Sequence, residues 1–200
     1  MSEIVKNEAF ELRVATMDDV PALHRLIERS VNGLQAGEYT EAQRAGALGH
    51  TLGLDTQLVK DGTYFVVSPA GETEILAASG GWSYRSTTFG SDGAAVRDAS
   101  VLDPAKDAAK IRAIFVDPEF ARRGLGSLVL AHCEAAAMAA GFTSFVMGST
   151  LTGVPLYTLK GYREVGRIDV PLPNGEVLPI VSMTKKATNE EAPLHDSGAS

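Results

Sequence analysis

The chain has 200 residues, a length that suits a single domain, and 44% of them are hydrophobic, which is enough to form a sizeable core. Its formal net charge of −7 argues against broad nucleic-acid binding, which needs a basic surface. No apolar run approaches the roughly 18 residues of a transmembrane helix, and the N-terminal residues do not form the apolar segment of a secretory signal. The single cysteine, Cys133, cannot form an internal disulfide, so we expect a reducing, cytoplasmic location.

The first elements in chain order are a strand and a helix. Residues 1–8 are polar, and we expect a flexible N-terminus. Apolar and polar residues alternate over Phe10–Val14, which predicts a half-buried strand. Thr16 or Asp18 can cap the helix that follows, and Asn-Gly at 32–33 predicts its end.

A second helix and a pair of strands come next. The helix is predicted to begin near Thr40. A strand over Thr63–Val67 and a turn at 69–71 lead into a partner strand over Ile75–Tyr84. Two glycines at 80–81 inside that partner strand predict a bulge or the close approach of another backbone.

Residues 85–109 form the least regular part of the sequence. They are polar and rich in Gly and Asp, without a cluster of metal ligands at a recognised spacing. A loop of this length inside a compact domain is uncommon and is often functional. We therefore predict a long insertion that covers a binding cleft as a lid; the alternative is a disordered insert.

The central stretch combines a strand, a glycine turn and a helix. The apolar strand Ile111–Val116 ends at a turn, and an Ala- and Leu-rich helix follows the segment Arg122–Ser127 and stops at Gly141. The first amides of a helix have no internal partner, and glycines let a ligand approach them. With two arginines on the turn, the pattern predicts a cradle for phosphate or pyrophosphate. The alternative is a turn that needs glycine only for its geometry.

The last third of the chain predicts three strands and a short helix. The strands are expected over residues 143–147, 165–172 and 177–183, with the helix at about 153–159. Asn174-Gly175 joins the last two strands in a predicted hairpin.

Two stretches resemble sequence motifs of the GNAT acetyltransferases. Arg122–Ser127 resembles motif A, a Gln/Arg-x-x-Gly-x-Gly/Ala turn that holds the pyrophosphate of acetyl-CoA, although the leading Gln/Arg position is occupied by Ala121. Leu156–Tyr162 resembles motif B, commonly Phe-Tyr-x-x-x-Gly-Phe. The two motifs occur in the family's order and spacing, and the resemblance covers about residues 9–186.

The resemblance implies an α/β (α+β) GNAT fold. We expect a mixed central β-sheet of about seven strands flanked by about four helices, with parallel strands that splay apart at an acetyl-CoA cleft. One acetyltransferase domain would occupy residues 9–186, with residues 85–109 as its long insertion loop. Residues 187–200 are polar and small, and we predict a disordered C-terminal tail.

The resemblance also implies an N-acetyltransferase that uses acetyl-CoA as co-substrate and an amine that attacks the thioester directly. Tyr157 would be the catalytic residue that protonates the departing thiolate; the alternative is a core aromatic. The implied cofactor-binding residues are Phe115, Val116, Arg122, Arg123, Gly124, Leu125, Gly126 and Ser127. The candidates for acceptor binding are Glu38, Tyr39 and Trp82, with a solvated loop for Glu38 and a core position for Trp82 as alternatives.

Two other functions fit the same sequence. A CoA-binding regulatory or sensing module without transferase activity would carry the same motif A, and a transferase of longer acyl groups would as well. The expected partner is a small-molecule or peptide amine, with no nucleic acid and no membrane, and the protein is expected to be a monomer or homodimer. The residues that choose the acceptor lie in variable loops, so the sequence does not name it.

Overall fold

The central feature of the computed structural model is one mixed β-sheet, and the structure describes residues 5–7, 9–94, 98 and 100–187. Within these residues the sheet has eight strands in the order β1-β2-β3-β4-β5-β6-β8-β7. The strands are β1 (Val5–Asn7), β2 (Phe10–Val14), β3 (Tyr64–Pro69), β4 (Ala78–Ser83), β5 (Ala109–Val116), β6 (Ser144–Thr150), β7 (Arg163–Pro171) and β8 (Val177–Lys186). The neighbours β5 and β6 are parallel, and the other described pairs are antiparallel.

Helices cover both faces of the sheet. In the described residues they are α1 (Val20–Leu34), α2 (Glu41–Ala47), α3 (Thr56–Lys60), α4 (Leu125–Ala139) and α5 (Val154–Leu159), with 3-10 turns at Met17–Asp19, Pro118–Phe120 and Leu151–Gly153. One core cluster packs the apolar side of α4 on the sheet, and a second packs α1 and α3 on the sheet. The result is the layered α/β architecture that the sequence predicts. None of the helices in the described ranges has the length and hydrophobicity that crossing a membrane requires.

The parallel strands β5 and β6 separate along their length. They pair only at Ala109 with Phe145 and at Lys110 with Val146. Beyond these pairs, β5 follows β4 and β6 follows β8, so a gap opens between them toward their C-terminal ends. The predicted splay is therefore present, and it creates a cleft in the middle of the sheet.

A bulge shapes the β5 side of this gap. Ala113 and Ile114 of β5 lie opposite the single residue Gly80 of β4, and Ala113 has φ of +53°. A Cβ atom on Gly80 would lie 2.7 Å from the side chain of Ile114, so only glycine fits there. The fully buried Tyr64 donates a hydrogen bond of 3.0 Å from its hydroxyl to the carbonyl of Ala113. The bulge predicted from the paired glycines is confirmed, with the extra residue on the partner strand.

Some element boundaries differ from the sequence predictions. Helix α1 runs through residues 32–33 to Leu34, so the predicted helix end there is wrong. The backbone of Gly33 packs against the ring of Pro118, where a Cβ atom would not fit. Glycine is therefore needed here for close packing, and the helix continues through it. The five-residue helix α3, capped by Asp55, is too short to show a periodicity and was not predicted. Within the N-terminal segment expected to be flexible, residues 5–7 pair with β2.

Two turn predictions are confirmed at the residue level. Helix α4 ends at Ala139, and Gly141 follows with φ of +95°, the conformation of a glycine that terminates a helix. The hairpin between β7 and β8 turns at Asn174-Gly175, and Gly175 has φ of +85°. The disordered tail predicted for residues 187–200 lies, beyond Ala187, outside the described residues.

Candidate active site

A cavity of about 600 Å³ lies at the start of α4, and we call it the turn cavity. Its walls come from the end of β5, the glycine turn and α5. The lining residues are Leu34, Val116, Ala121, Arg122, Gly124, Leu125, Gly126, Ser127, Thr152, Pro155, Leu156 and Leu159. Five of the eight residues predicted to bind the cofactor lie on the turn that lines this cavity, and a sixth, Val116, lines it from the end of β5.

The backbone of the turn presents donors rather than side chains. Arg122 and Gly124 have φ of +65° and +80°, so the chain reverses sharply before α4 begins at Leu125. The first amides of α4 have no intrahelical acceptor, and the helix dipole places partial positive charge there. Arg122 adds a formal positive charge to the wall. Such a turn binds anions of the phosphate class.

The glycines of the turn serve two different purposes. A Cβ atom on Gly124 would have no neighbour within 4 Å, so this glycine is required by its positive φ. A Cβ atom on Gly126 would lie 3.1 Å from Cδ2 of Leu156, so this glycine permits the close approach of α5. Arg123 is exposed and places its guanidinium 5.3 Å from the ring centre of Phe120, so it does not line the cavity.

A second cavity, of about 70 Å³, lies in the gap between β5 and β6, and we call it the gap cavity. Its lining residues are Gln35, Thr51, Leu52, Gly53, Thr88, Phe89, Gly90, Ile111, Arg112, Ala113, Ile114, Phe115, Met147, Gly148, Ser149, Thr150 and Tyr157. Phe115 lines this cavity and the next residue, Val116, lines the turn cavity. The linings of the two cavities share no residue, but consecutive residues line them at 34–35, 115–116 and 156–157, so the cavities are neighbours along β5 and α5.

Tyr157 lies on the wall of the gap cavity. It is 9% exposed, its ring lies against the backbone of Gly153, and its ring centre is 6.0 Å from that of Tyr162. No described residue forms a hydrogen bond with its hydroxyl. Burial raises the pKa of Tyr157, so the phenol stays protonated at neutral pH and can act as a proton donor.

A buried ion pair supports one wall of the gap cavity. Arg112 donates from Nη1 to Oδ2 of Asp55 at 2.6 Å and from Nη2 to the carbonyl of Gly90 at 2.6 Å. The Asp55 carboxylate also accepts from the backbone amide of Gln57, and the side chains of Arg112 and Asp55 are almost fully buried. The pair thereby joins α3, β5 and the loop that follows β4.

An outer groove of about 350 Å³ leads to the gap cavity and shares Thr51, Phe89 and Gly90 with it. Its other lining residues are His50, Ala94, Val170, Pro171, Leu172 and Pro173. Ser91 fixes the first part of the insertion loop over this region, because its hydroxyl donates to the carbonyls of Gly49 and His50. This part of the predicted insertion loop thus lies at the mouth of the gap cavity.

The comparisons with known proteins agree with this geometry. Residues 94–186 match the family model described as an acetyltransferase (GNAT) domain. The segment 94–186 therefore has the sequence pattern of a GNAT domain. No curated protein sequence matches the chain.

Solved structures extend the GNAT resemblance across the fold. A GCN5-related N-acetyltransferase from Rhodopseudomonas palustris has a TM-score of 0.65 at 17% identity, covering 92% of this chain and 99% of that chain. YncA, a putative acetyltransferase from Salmonella typhimurium solved with acetyl-CoA, has a TM-score of 0.59 at 16% identity, with coverage of 93% and 98%. The ribosomal-protein-S5-alanine acetyltransferase from Vibrio fischeri has a TM-score of 0.61 at 13% identity, with coverage of 95% and 100%. At these identities the likeness establishes the GNAT fold.

The three acceptor candidates named from the sequence do not line either cavity of this GNAT domain. Glu38 is exposed between α1 and α2. Tyr39 is 2% exposed, and its hydroxyl donates to the carbonyl of Pro179 at 2.8 Å and accepts from the amide of Leu151 at 2.9 Å. Trp82 packs in the α4 core, with its ring centre 5.9 Å from that of Phe142. Tyr39 thus connects β8 with the 3-10 turn at Leu151–Gly153. Trp82 occupies a core position, which was the alternative to its role in acceptor binding.

Sequence reasoning did not identify several residues that line the gap cavity. Gln35 directly follows α1, and nothing in its local sequence separates it from a surface residue. Arg112 carried a signal, because it is a charged residue inside an otherwise apolar strand. Phe89 carried another, since it is an aromatic residue within a polar loop. Such departures from the local pattern mark candidate site residues even when the partner segments are unknown.

Proposed function

We propose that this protein is an acetyl-CoA-dependent N-acetyltransferase in which an acceptor amine attacks the thioester directly. The observation that carries the proposal is that the two cavities are neighbours along the end of β5, where Phe115 lines one and Val116 lines the other. The turn cavity has the donors for an anionic cofactor, and the gap cavity offers a separate, mostly enclosed space for the acceptor. The GNAT fold and the acetyl-CoA complex of the neighbour YncA support acetyl-CoA as the cofactor.

The residues of the turn cavity fit the polar groups of CoA. Arg122 and the backbone amides of Gly124, Gly126 and Ser127 would hold the pyrophosphate, as charge-assisted donors do. The hydroxyl of Thr152 is buried without a hydrogen-bond partner among the described residues and lines the same cavity, so it suits a polar group of the pantetheine arm. When bound, acetyl-CoA supplies the acetyl thioester.

Additional predicted cofactor residues take supporting roles in this proposal. Leu125 is buried at the start of α4 and anchors the turn on the core. Val116 and Phe115 present the end of β5 to both cavities. Arg123 lies at the exposed side of the turn, where its charge attracts an anion at longer range without contacting it.

The chain's own groups account for the proton and charge movements of the transfer. The neutral amine nitrogen would form the new bond to the acyl carbon while the bond from that carbon to sulfur breaks. The sulfur would take a proton from a donor on the cavity wall, and the proton that the amine nitrogen loses would restore that donor. Tyr157 is the described group on the cavity wall that can donate this proton. The bulge at Ala113 and Ile114 interrupts the ladder of β5 on the wall of the same cavity, and a backbone amide that such a bulge leaves without a strand partner would be suited to polarise a carbonyl.

The experiment that tests this function measures release of free thiol from acetyl-CoA in the presence of a panel of primary amines. A transferase releases thiol in proportion to the acceptor supplied, whereas a CoA-binding module binds the cofactor without release. CoA binding is measured separately by the rise in melting temperature, because a ligand that prefers the folded state stabilises it. Binding without release for every amine would contradict the proposed activity, and comparison with longer acyl-CoA donors tests the acyl preference.

One further observation supports the location that we propose for the protein. Cys133 is free and fully buried in the α4 core, and burial raises the pKa of its thiol. A thiol in this state is a packing group rather than a nucleophile. We keep the cytoplasm as the proposed location, since a chain with a single buried thiol suits a reducing compartment.

A further inference from the structure

Gln35 is a buried polar group on the wall of the gap cavity. It directly follows α1, it is 6% exposed, and its side chain lines the cavity together with Tyr157 and the bulged segment of β5. Its side-chain oxygen Oε1 is buried and accepts no hydrogen bond from a described residue. Buried polar atoms of native proteins are normally paired, so this oxygen points to an N–H or O–H donor that a ligand would bring.

The charges around the gap cavity are unusual for a site that receives an ammonium ion. Of the described residues that line it, Arg112 and Tyr157 are the titratable ones, and none is a carboxylate or a histidine. The nearest carboxylate in this network, Asp55, is bonded to Arg112 at 2.6 Å and lies outside the lining of the cavity. Glu38 lines neither cavity, and His50 lies in the outer groove. An ammonium ion in the gap cavity would therefore find no carboxylate on the wall, and Asp55 behind the wall is already paired with Arg112.

We propose that the acceptor is a weakly basic primary amine that enters the gap cavity in its neutral form and donates a hydrogen bond to Oε1 of Gln35. This inference rests on the proposed transferase function and names its substrate class. Burial of an unpaired cation is strongly unfavourable, so the proton must leave before the amine enters. An α-amino group, with a pKa of about 7.7–8.0, is about half neutral near pH 8, whereas less than about 1% of a lysine-type amine, with a pKa of about 10.4, is neutral.

The outer groove adds a second property of the acceptor. Phe89, Val170, Leu172 and two prolines form most of its wall, and its exposed lining is more apolar than polar. A substituent on the carbon next to the amine would lie in this groove when the nitrogen is in the gap cavity. The acceptor class is therefore an α-amine beside an apolar side chain, and it can be supplied by a free amino-acid derivative or by a peptide N-terminus.

The test compares kcat/KM for leucinamide, a leucine-initiated tripeptide, isopentylamine and Nα-acetyl-lysinamide. At about pH 8 the neutral fractions of α-amines and alkylamines differ by about 100-fold, and we expect kcat/KM to differ by that factor in favour of the α-amines. As the pH rises, kcat/KM for isopentylamine should rise about tenfold per unit while that for leucinamide levels off. The ratio of kcat/KM for leucinamide to kcat/KM for the tripeptide shows whether a free amino-acid derivative or a peptide N-terminus is the preferred acceptor.

Equal or higher kcat/KM for isopentylamine or the lysine derivative at about pH 8 would overturn the inference and leave the transferase function intact. Absence of thiol release with every amine, while CoA still raises the melting temperature, would overturn the proposed function and the inference with it. The two failures are thus distinguished by the same set of assays.

Variants of Gln35 test the contact itself. Gln35→Glu places a carboxylate beside Arg112 and the amine, so the advantage of leucinamide over isopentylamine should shrink by about tenfold or more. Asn32→Asp makes the same amide-to-acid change on an exposed position of α1 and should leave the ratio unchanged. Gln35→Leu should lower kcat/KM for leucinamide by about tenfold, the effect of one lost hydrogen bond, with unchanged CoA affinity. If Gln35→Leu and Gln35→Glu both retain the wild-type ratio and rate, Gln35 does not contact the amine.

Discussion

The turn cavity and the gap cavity are adjacent but are built in opposite ways. The turn cavity takes its polar groups from one continuous segment, Arg122–Ser127, and offers mainly backbone amides. The gap cavity takes its polar groups from side chains on separate segments, among them Gln35, Arg112 and Tyr157. A backbone site tolerates many side-chain changes but not added bulk, whereas a side-chain site depends on each residue. Substitutions in the two cavities should therefore affect different kinetic constants.

The largest effect is expected at Gly126. Gly126→Val adds a branched side chain where a Cβ atom already lies 3.1 Å from Leu156, so α5 must shift and the amides are covered. We expect CoA affinity to fall by about 100-fold or more, which corresponds to the loss of several hydrogen bonds. Calorimetric titration with CoA measures it, with Gly166→Val as the control, because a Cβ atom there meets nothing within 4 Å. Unchanged CoA affinity in Gly126→Val would show that this turn does not bind the pyrophosphate of CoA.

The next effect is expected at Tyr157. Tyr157→Phe keeps the buried ring and removes the proton donor, so kcat should fall by about 10²- to 10⁴-fold with nearly unchanged CoA affinity. Tyr162→Phe is the matched control, because Tyr162 packs beside Tyr157 and lines neither cavity. If chemistry limits turnover and Tyr157→Phe works at the wild-type rate, Tyr157 is a core aromatic only.

The pKa of Tyr157 adds a check on the same role. Burial raises this pKa above the ordinary value, so the protonated donor persists to higher pH than it would in solvent. Wild-type kcat should then show no decline from loss of this proton below about pH 10. A decline at lower pH that disappears in Tyr157→Phe would indicate a phenol with a lowered pKa and contradict this description of the site.

A smaller effect is expected at the mouth of the gap cavity. Phe89→Ala removes an aromatic wall shared by the gap cavity and the outer groove, and we expect the KM for the acceptor to rise by roughly tenfold. The KM for acetyl-CoA should stay unchanged. Val101→Ala is the control in the same insertion loop, since Val101 is 69% exposed and lines no described cavity. If Phe89→Ala changed only the KM for acetyl-CoA, this loop would contribute to cofactor binding instead.

The smallest effect is expected at Tyr64, which holds the bulge. Tyr64→Phe removes the hydrogen bonds to the Ala113 carbonyl and the Ser79 hydroxyl, each 3.0 Å long. We expect the free energy of unfolding to fall by about 1–3 kcal/mol, because a buried carbonyl loses its donor. Denaturant unfolding measures this loss, and kcat should fall several-fold through a looser bulge. If the free energy of unfolding fell while kcat stayed unchanged, the hydrogen bonds of Tyr64 to the bulge would not contribute to catalysis.

The contrast between the cavities also explains what the sequence could predict. The strand, turn and helix around Arg122–Ser127 are local features, and so are the helix end at Gly141 and the hairpin at Asn174-Gly175. Local chemistry is readable in a single sequence because glycine, capping and periodicity act over a few residues. The local pattern therefore predicted the segment that forms the turn cavity, and the resemblance of two motifs to the GNAT family predicted the fold.

The gap cavity was harder to predict because its wall depends on the packing of distant segments. Gln35 and Arg112 are 77 positions apart in the numbering, yet the fold places both on the wall of the gap cavity. Tyr39 and Trp82 were reasonable candidates by position, yet packing placed them in the interior. Side-chain position in such a site is set by tertiary contacts that no local pattern encodes.

The central claim is that an amine in the gap cavity receives an acetyl group from a cofactor held in the turn cavity. The most direct measurement follows an isotopically labelled acetyl group from acetyl-CoA by mass spectrometry of the amine and of the intact protein. Labelled acetyl should appear on the amine nitrogen, equal in amount to the thiol released, with none retained on the protein. Stable labelling of the protein, or bound CoA with no labelled amine for any acceptor, would contradict the account.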